Sequence, residues 1–309
     1  MHMEYRVTLR DHDWVIANKH KLIPSVYAAI EVHSDGLGKP SFVGYSSPTY
    51  IAVRSGKHSS STALSHALDF NKLIDLKEFQ DFSKNGSFVK PVVILTVDGG
   101  PDENPRYQKV IEVAVHHFLE HDLDCLFLAA NAPGRSAFNR VKRRMAPLSR
   151  ELSGVILPHD HYGNHLNNAG FMIDNTLEKI NFQYAGETLA EIWSNVSIDK
   201  FPLVAEFIVP EKSEILSSTL KTKDSFWYAR HVQTSQYFLQ IVKCENRNCC
   251  KQPRGTCFTA MPDRFFPPLI PLSQLPEGRL QVTNALCHKN HKFPSLFVGK
   301  TLKMILCLT

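Results

Sequence analysis

Residues Pro91 to Val97 form an unbroken stretch of apolar and β-branched side chains that stops at Asp98. A run of that length without polar alternation reads as a strand buried on both faces of a sheet. Such a strand needs cover, and the next residues supply it. Asn104-Pro105 offers an N-cap and a first-turn proline, after which Val110, Ile111, Ala114, Val115, Phe118 and Leu119 make one apolar helical face. A second buried run, Leu123 to Ala130, follows. The segment 91–130 is therefore a β-α-β unit, expected to be parallel and right-handed.

The flanking chain extends the pattern. Residues 26–32 and 49–54 are rich in β-formers and bounded by turn signals, and 59–81 carries a helical spacing with one break. Ala137, Val141, Leu148 and Leu152 mark a further helix ending at Gly154. The expected class is α/β, a mixed sheet flanked by helices. Beyond Gly154 comes a His- and Asn-rich stretch, 158–168, and a short helix at 186–194, then a polar, linker-like segment at 210–225. This divides the chain into a core over 1–155, a loop and helical extension over 156–215, and a Cys/Pro-rich region over 216–309.

Composition narrows the setting. No run of 18 apolar residues occurs and the N-terminus lacks the layout of a signal peptide, so an intracellular chain with no membrane partner is expected. A net charge of +5 is only mildly basic, so any case for a polyanion rests on where the charges cluster. Six of the seven cysteines lie after residue 243. In a reducing compartment such crowding points to zinc rather than to disulfides. The candidate ligands are Cys244, Cys249, Cys250 and Cys257, with Cys287, His288 and His291 further on, against simple reduced thiols. The final segment, 301–309, ends on an apolar run without a cap, which suggests truncation.

Three other groups invite chemistry. Asp98, at the carboxyl end of a parallel strand, sits where open α/β sheets place ligands, although a strand-terminating turn also favours Asp. Asp102 and Glu103 suit the first turn of the following helix. Arg135, Arg140, Lys142, Arg143, Arg144 and Arg150 form a basic helix that could contact phosphate or serve as a solvated face. His159, His161 and His165 could converge on one metal, against the bland reading of a surface loop. Trp14, Trp193 and Trp227 read as packing residues. His58 follows a strand; Lys57 and the serines after His58 could touch phosphate, and a helix cap explains those serines equally well.

Two segments carry a family resemblance: V-D-G-G-P-D-E-N-P-R-Y at 97–107 and N-A-P-G-R-S-A-F-N-R-V-K-R-R at 131–144. They resemble DDE-type transposases of the RNase H-like/integrase superfamily. The likeness is to bacterial insertion-sequence transposases with paired D-G-G and N-x-x-E-R-R segments, and to uncharacterised transposon-derived animal proteins. The resemblance implies an RNase H-like fold, DNA as partner, a nuclear location and two Mg²⁺ or Mn²⁺ ions held by three acidic residues. Asp98 matches the second acid. Lys142 stands at the position of the third. The first belongs on an opening strand that precedes or barely enters this chain, with Asp11 and Asp13 the nearest candidates. The expected function is a transposase-derived protein, catalytically inactive, that retains nucleic-acid binding through Arg135, Arg140, Arg143 and Arg144. Alternatives are an active metal-dependent transposase or nuclease, and a single-metal hydrolase at His159, His161 and His165.

Overall fold

A computed structural model describes residues 14–17, 20–32, 43–44, 46–131, 139, 141–210, 220–261, 263–266, 272–274, 280–282 and 303–308. Ten strands share one mixed sheet. They are β1 (Trp14–Ala17), β2 (His20–Ala29), β3 (Thr49–Ser55), β4 (Val92–Val97), β5 (Cys125–Ala130), β6 (Ser197–Ile198), β7 (Phe201–Phe207), β8 (Val232–Thr234), β9 (Phe238–Val242) and β10 (Lys303–Leu308). Their order is β6-β7-β3-β2-β10-β4-β5-β9-β8, with β1 also on β2.

The expected β-α-β unit is present and parallel, with Val92 opposite Cys125 and Val97 opposite Ala130. β3 pairs antiparallel with β2 and parallel with β7. β9 pairs antiparallel with β5. The apolar run near the chain's end is β10, which lies inside the sheet, parallel to β4 and antiparallel to β2. β1 pairs with His20, Lys21 and Leu22 of β2, while β10 pairs with Tyr27, Ala28 and Ala29. Leu22 faces Ser55 of β3 on its other side, so β1 and β10 lie end to end along a single edge of β2. Strands from all three compositional segments thus enter one sheet, and those segments do not divide it.

Five helices matter for packing: α1 (Ala63–Asp75), α2 (Gln108–Glu120), α3 (Lys142–Glu151), α4 (Asn175–Ser194) and α5 (Ser225–His231). Alternation within each strand sends side chains to both faces. Tyr27, Tyr50, Val93 and Leu95 pack beneath Phe70 and Leu73 of α1 and Val110 and Phe118 of α2. Val26, Ile51 and Val53 pack on the other face against Leu148 of α3 and Phe182, Leu189 and Trp193 of α4. Cover on both faces is the reason these strands read as continuous apolar runs. Trp193 and Trp227 are core residues, as expected.

Local chemistry departs from expectation in three places. Thr62, not the earlier serines, caps α1, in a reciprocal box with Ser65. α2 starts at Gln108, so Asn104 does not cap it; its side chain accepts from the Arg106 amide instead. The short helix expected at 186–194 is the second half of α4, whose true start is set by Asp174 accepting from the Thr176 and Leu177 amides. Residues 211–219, Asp11, Asp13, Arg135, Arg140, Cys287, His288 and His291 lie outside the described residues, as do the side chains of Trp14 and Arg143.

Candidate functional site: the Asp98 edge and a Cys/His cluster

β4 delivers Asp98 to the carboxyl edge of the sheet. Gly99 follows at φ +89, with the Asn131 carbonyl 2.7 Å from where a Cβ would stand, so only glycine lets the ends of β4 and β5 approach this closely. Lys142, at the start of α3, places its ammonium 3.1 Å from Asp98 Oδ2, and both side chains are mostly shielded from water. Asn139 Nδ2 donates to Asp98 Oδ1 at 3.1 Å. The carboxylate therefore has a cation on one oxygen and an amide donor on the other.

Asp102 and Glu103 do not sit in the first turn of α2, which begins five residues after Glu103. Instead they meet His66 of α1. Glu103 Oε2 accepts from the Asp98 amide at 3.2 Å, and burial holds the Glu103 carboxyl above its usual range, against the opposing pull of His66. His66 Nε2 lies 3.1 Å from Asp102 Oδ2 and Nδ1 lies 2.7 Å from the Tyr27 hydroxyl. Tyr27 gives its only proton to Asp69, so Nδ1 must donate to Tyr27. Burial pulls the imidazole toward neutrality, but the Asp102 hydrogen bond and the nearby carboxylates prevail and raise its pKa. Burial raises the Asp102 carboxyl too, and the His66 contact overcomes that and holds it down at about 2. Asp69 in turn binds Arg54, giving a buried chain of alternating charge from the middle of the sheet to the Asp98 turn.

The basic segment does not act as one surface. Arg144 is 3% exposed, and its guanidinium donates to the Ser47 carbonyl at 2.9 Å, the Ser47 hydroxyl at 2.8 Å and Thr49 Oγ1 at 3.1 Å. It ties α3 to the start of β3, which corrects its assignment to nucleic-acid contact: burial and three hydrogen bonds leave no face for phosphate. Arg150 is exposed and meets Glu151.

The histidine stretch also resolves into structure. His165 is fully buried; Asn181 of α4 lies 3.2 Å from its Nδ1 and Glu178 lies 3.9 Å from its Nε2. Glu178 binds Lys57 at 2.7 Å and His58 at 3.1 Å, so those two residues hold α4 to the end of β3. His161 stacks on Tyr184 with ring centroids 3.8 Å apart. His159, His161 and His165 are not gathered around one point.

Among the described residues, one set of potential ligands is gathered: His231 Nε2 or Nδ1 and the sulfurs of Cys244, Cys249 and Cys250, all within 4.8 Å of one another. This group could hold a metal ion. Cys257, expected in it, instead lies 3.4 Å from Cys125 beneath the sheet, because the turn after Arg254 carries it inward. His231 was missed from the sequence because it precedes the nearest cysteine by thirteen residues and only folding of the β8–β9 hairpin brings the two together.

Comparison with protein-family models, with curated proteins and with solved structures found no match. Among the described residues, no helix is long and apolar enough to cross a membrane.

Proposed function

We propose that this chain is a transposase-derived, RNase H-like protein that binds DNA and has lost two-metal catalysis. The observation that carries the second half is the Lys142–Asp98 ion pair at 3.1 Å. Two-metal phosphodiester chemistry needs carboxylates that converge on a pair of divalent ions. An ammonium offers no lone pair, and it takes the oxygen that an ion would use. Of the other contacts at Asp98, Asn139 donates to the carboxylate and the Asp98 amide donates to Glu103. The residues present do not fit a Mg²⁺ or Mn²⁺ pair.

The fold half is supported by strand order. Across β3-β2-β10-β4-β5 the relations run antiparallel, antiparallel, parallel, parallel. An RNase H-like sheet runs in the same sense, which supports this reading, with β10 and the collinear β1 taken as the counterpart of its opening strand. β10 reads Lys-Met-Ile-Leu-Cys-Leu and contributes no carboxylate. Among the described residues, that part of the edge carries no acid on β10, and Asp11 and Asp13 lie outside them.

Calorimetric titration of Mn²⁺ into chelator-stripped protein is expected to give no saturable binding with the wild type. Lys142→Glu is expected to give saturable binding where the wild type gives none. Saturable binding by the wild type that disappears in Asp98→Ala would instead establish a working acidic site.

DNA binding rests on Arg135, Arg140 and Arg143 of the basic segment and is expected to depend steeply on salt. Arg140→Ala and Arg143→Ala are each expected to lower the slope of log affinity against log salt by about 0.9 for every phosphate that the arginine neutralises. Fluorescence anisotropy on a labelled duplex measures this. An unchanged slope in the double variant would remove the segment from any role in DNA contact.

A further inference from the structure

We propose that His231, Cys244, Cys249 and Cys250 form a structural Zn²⁺ centre that clamps the open end of the β8–β9 hairpin. The case is independent of the transposase reading and rests on geometry. The Cys250 sulfur lies 3.3 Å and the Cys249 sulfur 3.6 Å from His231 Nε2. In a tetrahedral centre with Zn–S near 2.3 Å and Zn–N near 2.0 Å, neighbouring ligand atoms stand roughly 3.5 to 3.8 Å apart. The two sulfur–nitrogen distances are thus close to coordinating separations, and all four ligand atoms lie within 4.8 Å of one another.

The histidine is prepared for this role. His231 Nδ1 lies 2.8 Å from the Trp227 carbonyl, which can only accept, so Nδ1 carries the proton and the Nε2 lone pair faces the sulfurs. Trp227 stacks on the ring at 4.2 Å and 11°, holding its plane. The ring is fully buried, so its orientation is set by packing rather than by solvent. On the other side the 246–250 turn is held by the Asn246 carbonyl, which accepts from the amides of both Cys249 and Cys250 at 2.9 Å. Cys249, although exposed, and the half-buried Cys250 can therefore both bring their sulfurs to His231.

Ligand chemistry selects the metal. Three thiolates and one imidazole suit Zn²⁺, and four protein ligands leave no open position for catalysis. With zinc the centre carries one net negative charge, beside a cleft wall that carries Arg230 and Arg264 together with Glu245 and Asp263.

Placement gives the ion its purpose. His231 immediately precedes β8, and Cys244 comes two residues after β9. The hairpin's turn closes one end, and the metal would close the other. β9 covers the edge of β5, so a hairpin held shut at both ends protects that edge from further pairing.

The full-length protein, expressed with zinc and purified under reducing conditions, is expected to carry one Zn²⁺ by elemental analysis. Cobalt exchanged into it should show the absorption of a tetrahedral thiolate site. Cys244→Ser, Cys250→Ser and His231→Ala should each lose at least nine-tenths of the bound metal, whereas Cys257→Ser should retain it. His231→Cys, which keeps four ligands, should restore both zinc and the cobalt spectrum even if the alanine variant misfolds. Absence of zinc from the reduced wild type, a disulfide among these cysteines in that sample, or equal loss of metal in Cys257→Ser would each overturn the proposal.

Discussion

Deleting Lys303–Thr309 is expected to abolish cooperative folding. β10 pairs with three residues of β2 on one side and five of β4 on the other, and it is the only strand that joins them among the described residues. Without it the sheet separates into a β6-β7-β3-β2 half and a β4-β5-β9-β8 half, each with a new unpaired edge. Each ladder hydrogen bond contributes about 1 kcal/mol net, against a total domain stability of roughly 5–15 kcal/mol. Losing the ladders on both sides, together with the burial that holds the halves together, is enough to remove that margin. Exposed edges further predict aggregation. Chemical denaturation followed by circular dichroism checks this, with a permuted chain carrying residues 300–309 and a linker of three or more residues ahead of residue 14 as the rescue. The collinear placement of β10 and β1 predicts that the permuted chain refolds. A truncated chain that retains a sharp transition would show that β10 is not a central strand.

Asp124→Ala should be the most damaging single substitution at the far edge of the sheet, by about 3–5 kcal/mol. Asp124 is fully buried just before β5. Its carboxylate accepts from Lys243 Nζ at 2.9 Å and from the amides of Arg254 and Gly255 at 2.8 and 2.7 Å. Those bonds hold the end of β9 and the 254–255 turn to the start of β5. Alanine would leave a nearly buried ammonium with only the partly exposed Asp122 as counter-charge, and two amides without acceptors. Pairing the change with Lys243→Met should recover a substantial part of the loss, because the stranded charge is removed. Urea midpoints of the single and double variants measure both effects. A loss below about 1 kcal/mol in the single variant would mean that water or Asp122 compensates fully.

The β4-α2-β5 unit was legible from residues alone, because a strand covered on both faces must be apolar throughout and a helix lying on it must be apolar on one side. The same logic located α1, β3, the packing tryptophans and the placement of Asp98 at a strand end. Lys142 opposite Asp98 was legible only through the paired segments at 97–107 and 131–144, since no local pattern links residues 44 positions apart.

What remained hidden depended on the meeting of distant parts of the chain. Arg144 reads like its basic neighbours, yet only the approach of Ser47 and Thr49 decides that it is interior. His231 carries no local sign of metal ligation until a hairpin returns Cys244 to it, and Cys257 carries no sign that it will turn away toward Cys125. The apolar run near residue 309 reads in sequence only as an uncapped end, and nothing in it names a strand or its neighbours. Periodicity and side-chain chemistry determine which elements form and which face each buries, because those are short-range properties of the backbone and of water. Pairing partners, ligand sets and the fate of a buried charge belong to tertiary structure, because each depends on which surfaces meet across the fold.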